Sequence, residues 1–269
     1  MKTKEVVCGL GEIGMPILKL LSTSFVTQGF DIDSKLIPSK KINFENFETK
    51  FLHICIPFNS NFLKNIQKLN KKFSPKGIVI HSTISPGTTA KIQQKIRNVP
   101  IIYSATRGVH KRMLSDLRKY AKFFALEKNA PKKAWASKAY SSLMKKSGVK
   151  TKVMTDPVTL ELAKIVVDTS YYGWLINYAQ ISNLIAKKHN VNYDEMWTFA
   201  EEIHKFLGNR PIMFPGHIGG HCVIPNLELI DDQQLWQIDQ INNFYSKKVK
   251  NAKAINKKYD KSKKQSYDV

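Results

Sequence analysis

Gly9-Leu10-Gly11-Glu12-Ile13-Gly14 places three glycines at the spacing Gly-x-Gly-x-x-Gly, directly after an apolar run and directly before a helical pattern. In that setting each glycine has its own reason. Gly9 permits a tight turn, Gly11 lets the backbone approach a pyrophosphate, and Gly14 allows a helix to pack close to a strand. Glu12 and Ile13 sit inside the same turn, where free N–H groups of a helix start attract phosphate. Asp31 ends the next expected strand, twenty residues after Gly11. A carboxylate there accepts hydrogen bonds from ribose hydroxyls and repels a 2′-phosphate, which points to NAD over NADP. The competing reading is a glycine turn that merely packs a helix, with Asp31 as a strand-end cap.

Two further rim segments carry hydroxyls and turn residues. His81-Ser82-Thr83-Ile84-Ser85-Pro86-Gly87-Thr88-Thr89 closes a strand and opens a helix, and Ile56-Pro57-Phe58-Asn59 closes another. Open α/β sheets bind ligands outside the carboxyl ends of their strands, so Pro57, Ser82 and Thr83 are candidate cofactor contacts. Taken alone, both segments read first as turn and cap chemistry. The most distinctive segment is Gly216-His217-Ile218-Gly219-Gly220-His221-Cys222-Val223-Ile224-Pro225. Its glycines suit a backbone close to a ligand, and Cys222 is a candidate nucleophile whose thiol a nearby cation would activate. His217, His221 and Cys222 lack the spacing and further ligands of a zinc site, so no metal is expected.

These residues need a scaffold, and the chain supplies one in its periodicities. Expected strands are Glu5–Gly9, Phe25–Asp31, Phe51–Ile56, Gly77–Ser82, Pro100–Ser104, Lys122–Leu126 and Thr151–Met154. Helical patterns lie between them at Gly14–Thr23, Ser60–Lys72, Thr88–Arg97 and Pro131–Lys146. Strands alternating with helices predict an α/β, Rossmann-type doubly wound parallel sheet. The spans Lys40–Lys50 and Arg107–Tyr120 read as loop or irregular helix. After Asp156-Pro157 the texture changes, and Val158–His189 reads as one long helix with Asp156 as N-cap. A helix at Tyr193–Leu207, a loop at Pro215–Pro225 and a helix at Asn226–Tyr245 complete a smaller all-helical domain. The expected division is 1–155 for the NAD-binding domain, 156–245 for the helical domain and 246–269 for a mobile basic tail.

The order GLGEIGMP, Asp31, CIPFN, HSTISPGTT, a long helix bearing LELAK, and PGHIGGHCVIP resembles the nucleotide-sugar 6-dehydrogenases. That family acts on UDP-glucose, GDP-mannose or UDP-N-acetylmannosamine, and the chain is most similar to the last type. The resemblance runs to about residue 245 and implies a two-step, NAD-dependent oxidation of a sugar alcohol in polysaccharide biosynthesis. It places Cys222 as the nucleophile, Lys164 as the lysine that stabilises oxyanion charge, and Thr83 beside the nicotinamide. Arg107, Gly219, Gly220 and His221 would contact substrate. The departures are chemical. Thr106 stands where the family carries a glutamate, Asp168 where it carries an asparagine, and Asn226 where it carries an aspartate. A threonine or asparagine cannot take a proton as a carboxylate does. The family's C-terminal nucleotide-sugar-binding domain also has no counterpart in this sequence. The alternatives are a single hydride transfer like that of the β-hydroxyacid dehydrogenases, and a degenerate NAD-binding protein without activity.

Composition bounds the remaining possibilities. The 269 residues are 42% hydrophobic and 24% charged, with a formal net charge of +22. About a third of that excess lies in residues 246–269, which hold nine Lys and two Asp. No arginine-rich helix accompanies it, so a small-molecule substrate is expected rather than a specific nucleic acid. No apolar run is long enough for a membrane helix, and no signal peptide is read. Cys8, Cys55 and Cys222 are widely spaced, which fits a reducing cytoplasm. The length of the helix after Pro157, with Tyr171, Tyr172 and Trp174 on it, predicts a homodimer.

Overall fold

The computed structural model describes residues 2–38, 43–207, 215–219, 223–229 and 233–249. Seven strands form one sheet: β1 (Lys2–Cys8), β2 (Thr27–Phe30), β3 (Phe47–Ile54), β4 (Gly77–Ile80), β5 (Ile101–Tyr103), β6 (Lys122–Leu126) and β7 (Thr151–Val153). Their order is β2-β1-β3-β4-β5-β6-β7. All expected strands are present, and the α/β class holds. The first five strands run parallel, but β6 is antiparallel to β5 and β7 is parallel to β6. The doubly wound sheet is thus mostly parallel, as expected, with one antiparallel pairing between β5 and β6. Reversing β6 puts its first residue, Lys122, beside the carboxyl end of β5.

Alternate residues of each strand face opposite sides, and both sides are apolar. Val7, Phe51, Val79 and Ile102 belong to one core, and Val6, Leu52, Ile78 and Ile101 to the other. A parallel strand covered on both faces must read as a continuous apolar run, which is how these strands were legible. The covering helices of this part are α1 (Gly14–Ser22), α2 (Phe62–Phe73), α3 (Thr88–Lys95), α4 (Met113–Lys119) and α5 (Lys133–Lys146). Two expected loops are partly regular: residues 47–50 extend β3, and α4 lies within 107–120.

The long helix begins as expected. Asp156 accepts the Thr159 N–H at 2.8 Å and the Thr159 hydroxyl at 3.0 Å, with Pro157 at the first turn. It is not uniform, however. α6 (Pro157–Leu162) passes into a π-helical segment, Ala163–Ser170, and then into α7 (Tyr171–Lys188). The Thr169 and Ser170 hydroxyls both donate to the Ile165 carbonyl, at 3.0 and 2.7 Å, and divert it from the α-helical ladder. Such π segments recur at functional sites.

The chain divides into two compact units, Met1–Lys164 and Ile165–Val269, so the division falls inside the long helix rather than before it. α6 stays with the first unit because Leu160 packs in its core and Glu161 is fully buried there. The second unit contains α7, α8 (Tyr193–Leu207), α9 (Val223–Leu227) and α10 (Gln233–Lys248). The expected Asn226–Tyr245 helix is thus two helices, and α10 extends past Tyr245, whose ring is buried with Val249 against Leu184. Gly173 is the contact point. A methyl there would come within 2.9 Å of Val223 and 3.0 Å of Ile238.

Candidate active site

The chain passes from β1 to β2 on one side and then crosses to β3 on the other side of β1, which makes the carboxyl ends of β1 and β3 the switch point of the sheet. Gly9 turns there with φ +86° and donates to the Phe30 carbonyl at 2.9 Å. A methyl on Gly9 would stand 2.7 Å from the Cys55 carbonyl oxygen, and one on Gly14 would overlap the Gly9 carbonyl. Gly11 is different: nothing lies within 4 Å of the space a side chain would take. Two glycines are required by packing and the third faces an open approach, as the pyrophosphate reading requires. Glu12 is exposed, and Ile13 packs on the core. Asp31 Oδ2 accepts the Leu10 N–H at 2.6 Å and Oδ1 accepts the Asp33 N–H at 2.9 Å. The carboxylate is therefore fixed against the glycine turn, with lone pairs left for hydroxyl donors.

Along the same edge, the Ser82 hydroxyl donates to the Ile56 carbonyl at 2.6 Å, which joins the ends of β3 and β4. Pro57 is exposed beside it, and the Thr83 hydroxyl makes no hydrogen bond among the described residues. Sequence reasoning missed the group that fixes this rim. Glu161 on α6 accepts the Gly87 N–H at 2.6 Å, the Thr89 N–H at 2.9 Å and the Thr89 hydroxyl at 2.6 Å. A buried carboxylate thus closes the N-terminus of α3 and ties it to the helix that carries Lys164. The LELAK run held the signal, but one acidic residue on a helix face reads as solvated.

The third rim lies at β5 and β6. Arg107 donates to the Ala121 carbonyl at 2.9 Å and lies over the rings of Tyr120 and Phe123, at 5.5 and 5.1 Å. Lys122, also unforeseen, donates to the Ser104 and Ala105 carbonyls at 3.0 and 3.2 Å and to Thr106 Oγ1 at 3.1 Å. Burial lowers its pKa to about 7, opposed by Cys55 and helped by the charges of Arg107 and Lys164. Lys164 itself is half-buried in the π segment. The thiols at the strand ends are poor nucleophiles: burial pushes Cys8 up to about 12 and Cys55 higher still. Between the strands, His53 Nδ1 and His81 Nε2 meet at 2.9 Å, and Glu5 lies 3.5 Å from His53. Burial, then Lys122 and His53, hold the His81 pKa well below 6.5.

In the second unit a buried amide network holds the loop that precedes Gly220. Gln180 donates to the Gly216 carbonyl at 2.7 Å, and Asn242 bonds Ile218 through both its carbonyl (3.1 Å) and its N–H (2.8 Å). Gly219 is exposed, Asn226 is buried on α9, and Asp168 is half-buried in the π segment. Helix α9 begins at Val223, inside the expected loop. Cys222, His221 and Gly220 lie outside the described residues.

No family model and no curated protein matches the sequence. Solved structures do match in fold. UDP-D-ManNAc dehydrogenase from Pyrococcus horikoshii gives a TM-score of 0.73 at 21% identity, covering 90% of this chain and 69% of that one. UDP-glucose dehydrogenase from Pyrobaculum islandicum gives 0.69 at 13% identity, covering 91% and 68%. The 3-hydroxyisobutyrate dehydrogenase of Mycobacterium tuberculosis gives 0.64 at 12% identity, covering 92% of this chain and 94% of that one. The chain therefore shares the fold of these dehydrogenases, and spans about two thirds of the length of the two UDP-sugar dehydrogenases.

Proposed function

We propose that the chain is an NAD-dependent oxidoreductase that converts an alcohol of a small, sugar-like substrate to the carbonyl. The observation that carries this reading is the turn at the switch point. Gly9 and Gly14 are enforced by packing, Gly11 opens the backbone to a ligand, and Asp31 is locked beside them. This donor set fits a dinucleotide, whose nicotinamide, when bound, supplies the hydride acceptor. Gly11 and the N-terminus of α1 would hold the pyrophosphate, Asp31 the adenosine ribose, and Thr83 would face the nicotinamide. Lys164 would stabilise negative charge on the substrate oxygen, an effect worth about 3 kcal/mol for one well-aimed group in a water-excluded site. Cys222 would hold the aldehyde where a second oxidation follows.

The replacement of family carboxylates by Thr106 and Asn226 favours a single hydride transfer over two. The test is turnover with UDP-sugars, free sugars and β-hydroxyacids in the presence of NAD, scored as NADH formed per substrate consumed. One NADH per substrate, lost on Lys164→Ala, is expected. Two NADH per substrate would refute the single-step reading, and no NAD binding at millimolar concentration would refute the whole assignment.

A further inference from the structure

We propose that Lys122 takes up the alcohol proton at this site, with the Thr106 hydroxyl as the relay between substrate oxygen and Nζ. The inference rests on the dehydrogenase reading above, and begins from topology. Because β6 runs antiparallel to β5, Lys122 at its start stands on the ligand edge of the sheet and not at the opposite end. Its ammonium meets only neutral oxygens: the carbonyls of Ser104 and Ala105 and the hydroxyl of Thr106. Among the described residues it has no carboxylate partner. A buried charge without a counter-ion is costly, and the usual outcome is that the group gives up its proton.

The groups facing Lys122 all act on it. Arg107, on the segment after β5, and Lys164, beyond α6, disfavour a further positive charge; Cys55, after β3, acts in the opposite sense, though burial keeps its thiol protonated; His81, after β4, is a neutral imidazole. From α5, the Tyr140 hydroxyl is spent on Ser104 at 2.9 Å. Two lysines near one another and unequally buried divide the chemistry between them. The more deeply buried Lys122 is the base, and Lys164 is left to meet the oxyanion.

The step balances. As hydride leaves the substrate carbon, the substrate O–H proton passes to Thr106 Oγ1. The hydroxyl proton of Thr106 passes to the neutral Nζ, the C=O bond forms, and Lys122 becomes an ammonium. That ammonium then returns its proton to water, and the amine is restored. A threonine where a carboxylate would serve is thereby completed by a base one hydrogen bond behind it. Lys122 acts through Thr106, so it is a positioning and proton-storing residue rather than one that touches substrate.

The experiment uses the full chain and two variants, Lys122→Met and Lys122→Arg, the second keeping donors for all three bonds while never releasing a proton. Urea unfolding without cofactor is followed from pH 6 to 10, alongside the pH dependence of kcat for NADH formation. Between pH 7 and 10 the unfolding constant of the native chain should fall close to tenfold per pH unit relative to either variant. The acidic limb of kcat near pH 7 should vanish in both variants and in Thr106→Val, with KM little changed. Thr106→Val should keep the native pH dependence of unfolding, which separates the relay from the store. Parallel unfolding profiles for native chain and variants would overturn the proposal whatever the activity. So would a kcat limb that survives Lys122→Arg. Unfolding that titrates as expected in a chain that oxidises no alcohol would overturn the dehydrogenase reading and the relay step with it, and leave the buried amine standing.

Discussion

Glu161 offers the sharpest test of how the helix bearing Lys164 is fixed to the first compact unit. Its carboxylate is fully buried and accepts three hydrogen bonds, two from backbone N–H groups of Gly87 and Thr89 and one from the Thr89 hydroxyl. Glu161→Ala would strand all three donors where water cannot reach them without opening the α3 N-terminus. Each unsatisfied buried donor costs about 1–3 kcal/mol, and partial relaxation offsets some of that. A loss of about 3–5 kcal/mol is expected, or a Tm lower by roughly 10 °C. Glu161→Gln keeps the volume and one carbonyl oxygen but turns an NH2 toward a donor, so it should lose about 1–3 kcal/mol. Urea unfolding at pH 7 measures the total, and amide exchange at Gly87 and Thr89 locates it. The two amides should lose protection before the strands do. A loss below about 1 kcal/mol in Glu161→Ala, with protection at Thr89 unchanged, would refute the claim that this carboxylate holds the rim to the helix.

Three other outcomes follow from the same geometry. Asp31→Ala should narrow the preference for NAD over NADP; equal affinity of the native chain for the two cofactors, read by titration, would sink the ribose assignment. Val167, Tyr171, Tyr178 and Ile185 are each more than half exposed and recur at steps of four and seven along the long helix. The chain should therefore sediment as a dimer at micromolar concentration, and Tyr178→Lys should shift it toward monomer, whereas a native monomer would end the dimer proposal. His81 is kept neutral in the fold while the unfolded chain binds a proton near its ordinary 6.5. The unfolded state then holds more protons below that pH, so stability is full above about 6.5 and falls as the pH drops through it. His81→Phe should flatten this dependence; an unchanged slope would show that other groups set it.

What the sequence disclosed is what short-range physics decides. The glycine turn was legible because Gly9 holds a positive φ and Gly14 meets the Gly9 carbonyl five residues back, and the N-cap Asp156 because its partner Thr159 is three residues on. Parallel strands were legible because burial on both faces leaves no polar alternation. Strand direction was not. Nothing in Lys122–Leu126 records whether it runs with or against Ile101–Tyr103, since an apolar run serves either pairing. The π segment was equally hidden, because it depends on two hydroxyls competing for one carbonyl, which the helical period of the apolar residues does not register.

The site divides along the same line. Asp31 was legible as a candidate because strand and turn place it within one βαβ unit, yet its fixed hydrogen bond to Leu10 came only with coordinates. Glu161 and Lys122 meet partners 72 to 74 and 16 to 18 residues away, and neither belongs to a spaced motif. On a sequence they are two ordinary charges among the 43 basic and 21 acidic residues of the chain. Burial makes them exceptional, because a charge removed from water must be bonded, paired or neutralised. Glu161 takes the first course, with three donors. Lys122 is bonded too, to three neutral oxygens, but with no carboxylate partner among the described residues its burial draws its pKa down. The place of Lys122 beside Thr106 is thus a consequence of how β6 turns back on the sheet, and the reversal of one strand decides which basic group stands at the carboxyl end of β5.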